Sequence, residues 1–162
     1  MYTRESLLFL ALVAQLSAFA QDPSPSKKQD TVYARALFAS ITEMDKEWGR
    51  QNDAPDYHRM FVEADPQITN ELPSESAGYR VEFLDTKGQV SRYKKLGKEF
   101  ALLKIHPMRD HGDHLEVTVS VYQFSYKKRH LMYGLSGSSD VEIRFNCEKQ
   151  QFVISSVKLG GI

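Results

Sequence analysis

The chain has 162 residues and balances 21 Lys+Arg against 21 Asp+Glu. That length suits one domain, and the neutral balance argues against a nucleic-acid binder, which neutralises phosphates with excess Lys and Arg. A 41% hydrophobic and 26% charged composition is that of a globular protein rather than a disordered tail, and the lone Cys147 excludes an intrachain disulfide framework or a multi-cysteine metal site.

Residues 1–20 read as a secretory signal peptide. Arg4 gives a weakly positive start, an apolar run of about 14 residues extends from Leu7 to Ala20, and Ala18 and Ala20 occupy the small-residue positions of a cleavage site. The run is short of the roughly 20 residues that a membrane-spanning helix needs, so no membrane span is expected after cleavage. Export to a periplasm or the extracellular space follows. Residues 21–29, with Pro23, Pro25, two serines and two lysines, read as a disordered tether. Residues 30–162 are expected to form a single α+β domain.

Within that domain, Leu37, Ile41, Met44 and Trp48 follow the 3.6-residue period, and Phe38 widens the stripe. With Asp30 or Thr31 as cap and Gly49 as stop, a helix is expected over about 31–48. Residues 50–78 are broken by prolines, and Tyr57 to Val62 fit either a short strand or a helical turn. Tyr79 to Leu84 alternate as a strand. Asp85 and Gly97 then bracket a short helix, which is favoured over a hairpin turn at Asp85-Thr86-Lys87-Gly88.

From Phe100 the apolar period changes to 2. Four long strands separated by short polar turns predict an antiparallel meander, with Gly134 and Gly137 marking a bend or bulge. One apolar sheet face needs a cover, and the 31–48 helix supplies it. The expected fold is therefore α+β, an N-terminal helix packed on a curved antiparallel sheet of about four to six strands.

This order resembles the NTF2-like (cystatin-like) superfamily, in the manner of small bacterial secreted proteins. The likeness is carried by the 31–48 helix ending in Trp48 and by the closing strands Asp140 to Phe145 and Phe152 to Leu159. It implies a cone-shaped sheet wrapped around helices. Members include isomerases, dehydratases, transport adaptors and pocket-bearing domains, and the enzymes place an acidic base and a tyrosine or histidine inside the cone. No such pair in this chain matches position by position, and fold alone does not assign function.

Several residues invite chemistry. His106, Asp110, His111, Asp113 and His114 are metal-ligand types, with His111 and His114 the strongest of them. They cluster at a hairpin turn, however, where such residues also serve the backbone, and adjacent strand positions face opposite ways. No metal or other cofactor is therefore expected. Cys147 continues the Val141, Ile143, Phe145 face and is expected to pack as a small hydrophobe. Lys127 to His130 and Lys94, Lys95, Lys98 read as solvated basic runs.

Tyr122, Phe124 and Tyr126 place apolar bulk opposite Val117, Val119 and Val121. Either the chain covers them, or they form a homodimer surface. The favoured function is an exported soluble binding or interaction module. Its small apolar ligand would sit at the open end of the cone, lined by Trp48, Tyr57 and Phe83. The alternatives are a small pocket enzyme of isomerase, lyase or hydrolase type using an acid/base pair, and a structural envelope protein.

Overall fold

The computed structural model describes residues 31–48 and 59–161. The signal peptide and tether expected over residues 1–29, Tyr57 and the side chain of Trp48 lie outside the described residues. Helix α1 spans Val32–Trp48, and the Thr31 hydroxyl accepts from the Ala34 N–H at 3.2 Å, as an N-cap should. Ala34, Leu37, Ile41 and Met44 are buried along one stripe. Next come β1 (Arg59–Glu63), a 3₁₀ turn (Thr69–Glu71), β2 (Glu75–Ser76) and β3 (Tyr79–Leu84).

Helix α2 spans Thr86–Leu96. Asp85 caps it through the Gly88 N–H, and Gly97 closes it in the left-handed conformation at φ +66°. Only a residue without Cβ takes that conformation without strain, so the Asp-to-Gly bracket selects helix over hairpin. The remaining strands are β4 (Phe100–Ile105), β5 (Arg109–Asp110), β6 (Leu115–Lys127), β7 (His130–Asn146) and β8 (Gln151–Gly161).

The strands form one strongly curled eight-stranded sheet in the order β2-β3-β1-β4-β6-β7-β8, with β5 pairing β6 beyond the end of β4. The expected meander is its antiparallel half, β4-β6-β7-β8. The sheet is larger than anticipated and mixed, because β1 pairs parallel with both β3 and β4. The ambiguous segment after Tyr57 is therefore a strand. Parallel neighbours require a crossover, and α2 provides the one from β3 to β4.

Side-chain alternation divides the buried residues between the two faces. On one face α1 packs over Val62, Val81, Leu103, Val117, Val119, Val141 and Ile143. On the other, Phe61, Phe100, Leu102 and Phe124 meet Tyr93 and Leu96 of α2. Aromatic rings interlock there, with Phe100 centred 5.1 Å from both Phe61 and Phe124. The chain itself thus buries Phe124 completely, and Tyr122 and Tyr126 are half-buried beside it.

Cys147 is a correction. It is exposed, because the β7 ladder ends at Asn146 and residues 147–150 form the turn into β8. The Gln150 amide donates to the Cys147 carbonyl at 2.6 Å across that turn. The anticipated bulge exists between Val121 and Tyr122, opposite Leu135 to Gly137. A second irregularity lies between Glu142 and Ile143, opposite Ile154 to Ser156.

Candidate functional site

Among the described residues a concavity lies on the outer side of α1. Phe38 follows Leu37 by a rotation of about 100°, which turns it out of the buried stripe. It is 53% exposed, so it does not widen that stripe as the sequence suggested. Thr42, Asp45 and Lys46 follow at i+4, i+7 and i+8 on the same outward face. The β2–β3 hairpin leans over this face through a two-residue turn, Ala77-Gly78, with φ of +51° and +85°. The Tyr79 hydroxyl donates to Asp45 Oδ1 at 2.8 Å, fastening hairpin to helix.

Between the hairpin, α1 and β8 runs a groove of about 610 Å³. Phe38, Tyr79 and Ile154 supply apolar wall, and Arg35, Arg80 and Glu75 supply charge. A further hollow of about 480 Å³ continues along Thr42 and Lys46. The Arg35 guanidinium donates to the Phe152 carbonyl, which joins the helix to β8. Phe145 and Phe152, 49% and 38% exposed, pack edge to face 5.3 Å apart on the same sheet face as Ile154. They extend the apolar floor past the groove mouth. Phe83 is half-buried against the α1 core and is not among the groove's lining residues.

The sheet face that α2 leaves uncovered carries polar pairs. Lys104 Nζ lies 3.0 Å from Glu63, and Arg109 Nη2 lies 2.7 Å from Glu116. His106 Nε2 is 3.0 Å from Ser120 Oγ, a spacing that a histidine base and a serine nucleophile would have. Burial, and then the nearby Lys104 and Arg109 cations, hold the His106 imidazole below its ordinary range.

Two features argue against a nucleophile there. Ser120 sits inside β6, with Lys104 and Ser138 as ladder partners, so neighbouring N–H groups are spent on the sheet rather than aimed at an oxyanion. Asp140, the nearby carboxylate, accepts from the Thr118 hydroxyl at 2.6 Å.

The β5–β6 turn does bring side chains together. His111 and His114 oppose each other across Gly112-Asp113, with the His111 N–H donating to the His114 carbonyl at 3.0 Å. Glu116, two residues on, shares their face. Sequence reasoning chose both histidines and missed Glu116. The available signal was parity: positions i and i+3 across a two-residue turn, and then i+5, fall on one side of a hairpin.

No family model, curated protein or solved structure matches the chain. Among the described residues no helix is long and apolar enough to cross a membrane.

Proposed function

We propose that this chain is an exported soluble binding module with an NTF2-like (cystatin-like) cone, whose ligand lies in the groove between α1, the β2–β3 hairpin and β8. The observation that carries the reading is the exposed Phe38 facing Ile154 across a 610 Å³ groove. Pockets for small molecules run from about 300 to 1,000 Å³ and combine apolar walls with a few polar anchors. Here Arg35, Arg80 and Glu75 are the polar anchors beside the apolar walls, so the ligand is a small apolar molecule with a polar head group. The short apolar run before Ala18 and Ala20 supports export.

Isothermal titration with dodecanoate tests the site. Saturable binding is expected, weakened at least tenfold by Phe38→Asp and by Ile154→Asp, with the melting temperature retained because both side chains are exposed. Equal binding by these variants would remove the groove as the site. The enzyme alternative is weaker, because Ser120 lies mid-strand, where the surrounding N–H groups serve the β4 and β7 ladders.

A second reading concerns self-association. Among the described residues, His130 to Leu135 of β7 pair with β6 on one side only, since β8 begins its pairing at Gly137. Leu131, Met132, Tyr133 and Leu135 on that stretch are each 38% exposed or more. We propose this neighbouring edge, in place of the surface expected at Tyr122, Phe124 and Tyr126, as the homodimer contact, because Phe124 is buried in the core.

A further inference from the structure

We infer that the β5–β6 turn is a binding site for a divalent transition-metal ion, with zinc the best fit, held by His111, His114 and Glu116. One ligand atom from each of the three lies within 4.8 Å of the others, and His111 Nε2 is 3.8 Å from Glu116 Oε1. Donors around a tetrahedral zinc at about 2.1 Å stand roughly 3.4 Å apart. Small side-chain rotations, chiefly of the exposed His111, close the difference. Two imidazoles and one carboxylate suit zinc and its neighbours rather than calcium or magnesium, which prefer all-oxygen shells.

An independent feature points the same way. Asp113 Oδ1 lies 2.7 Å from His114 Nδ1. An ionised carboxylate only accepts, so Nδ1 carries the proton and Nε2 is left as the ligating nitrogen. This is the carboxylate–histidine–metal arrangement that orients a ligand and raises its basicity. The backbone is also held firmly: Asp110 Oδ1 accepts from the Gly112 N–H at 2.7 Å, and Gly112 takes φ +87°. The imidazole rings lie nearly parallel, 4.7 Å apart. Three protein ligands leave the fourth position of a tetrahedron to water or an incoming group.

Arg109 is the competitor. Its guanidinium is 2.7 Å from Glu116 Oε1, so an arriving cation must share that carboxylate or displace the arginine. Arg144, 3.4 Å from Asp113 Oδ2, draws less directly on the site. Affinity is therefore modest in the native chain and rises when Arg109 loses its charge.

The test is titration of the purified protein with zinc chloride, monitored by calorimetry and by competition against a chromophoric chelator. One zinc per chain is expected, with no comparable heat from magnesium or calcium chloride. His111→Ala and His114→Ala should each weaken binding more than tenfold, and Asp113→Asn about tenfold or more. Arg109→Gln should tighten it. Unaltered melting of these turn variants separates lost ligands from lost fold, and cobalt substitution supplies a visible spectrum that reports tetrahedral nitrogen and oxygen ligation. Absence of stoichiometric zinc binding overturns the inference. So does binding that survives both histidine replacements, or Arg109→Gln leaving the affinity unchanged.

Discussion

At the scale of single residues, environment decides the role of each polar group. His106 and His114 are both half-buried, yet their partners differ. His106 meets a hydroxyl and two cations, whereas His114 meets a carboxylate. Burial and the Lys104 and Arg109 charges hold His106 neutral in the folded chain, against the smaller opposing pull of Glu63 and Asp140. The unfolded chain then takes up its proton first as the pH falls. The stability associated with neutral His106 is complete above its ordinary value near 6.5 and is lost as the pH drops through the lowered folded value. Replacing His106 with Gln keeps a partner for Ser120 and removes the titration. The variant's urea midpoint should decline less than the parent's between pH 7 and pH 5. Parallel decline of the two would show that His106 contributes no pH dependence.

At the scale of elements, the turns carry the clearest departures from ideal sequence chemistry. The β6–β7 hairpin closes with Lys127 opposite His130, and its two central residues, Lys128 and Arg129, take φ of +52° and +66°. Positive φ at both positions defines the type I′ turn, which favours Asn-Gly. Left-handed backbone costs a residue with a Cβ about 1–2 kcal/mol. Exchanging Lys128-Arg129 for Asn-Gly should raise stability by about 1–2 kcal/mol in a denaturant titration. No gain would mean that the basic pair makes compensating interactions at the tip. Helix α2 shows the opposite case. Its Asp85 cap and Gly97 stop agree with the conformation they occupy, which is why its limits are legible in the sequence.

At the scale of the whole molecule, two helices cover opposite faces of one curled sheet, and cover stops where β7 outruns β8. Among the described residues no strand pairs with the outer side of Leu131 to Leu135, and this edge, which carries no charge or proline, is a template for another strand. Antiparallel pairing of that stretch with itself satisfies two-fold symmetry, since both copies offer the same residues. Light scattering should give a dimer mass for the native chain at micromolar concentration, and a monomer mass for Met132→Lys. A monomer mass for both discards the reading.

How much was readable from the residues divides along physical lines. Helix α1, helix α2 and the four-strand antiparallel half follow from hydrophobic period, caps and turn residues, all of which act within a few positions along the chain. Strand β3 was legible from its alternation over Tyr79 to Leu84, whereas β1 and the parallel pairing of the two were harder. Their pairing depends on contacts across tens of residues, and β1 is too short for its period to stand out. The candidate sites depended most on the third dimension. Phe38 belongs to the groove rather than the core because the helix turned it a hundred degrees from Leu37. Phe124 belongs to the core rather than an interface because α2 crossed to its face. Glu116 joined His111 and His114 because the turn register placed three separated residues on one side. Local periodicity specifies which segments are helix or strand, whereas register, crossover and sheet curl decide which side chains meet.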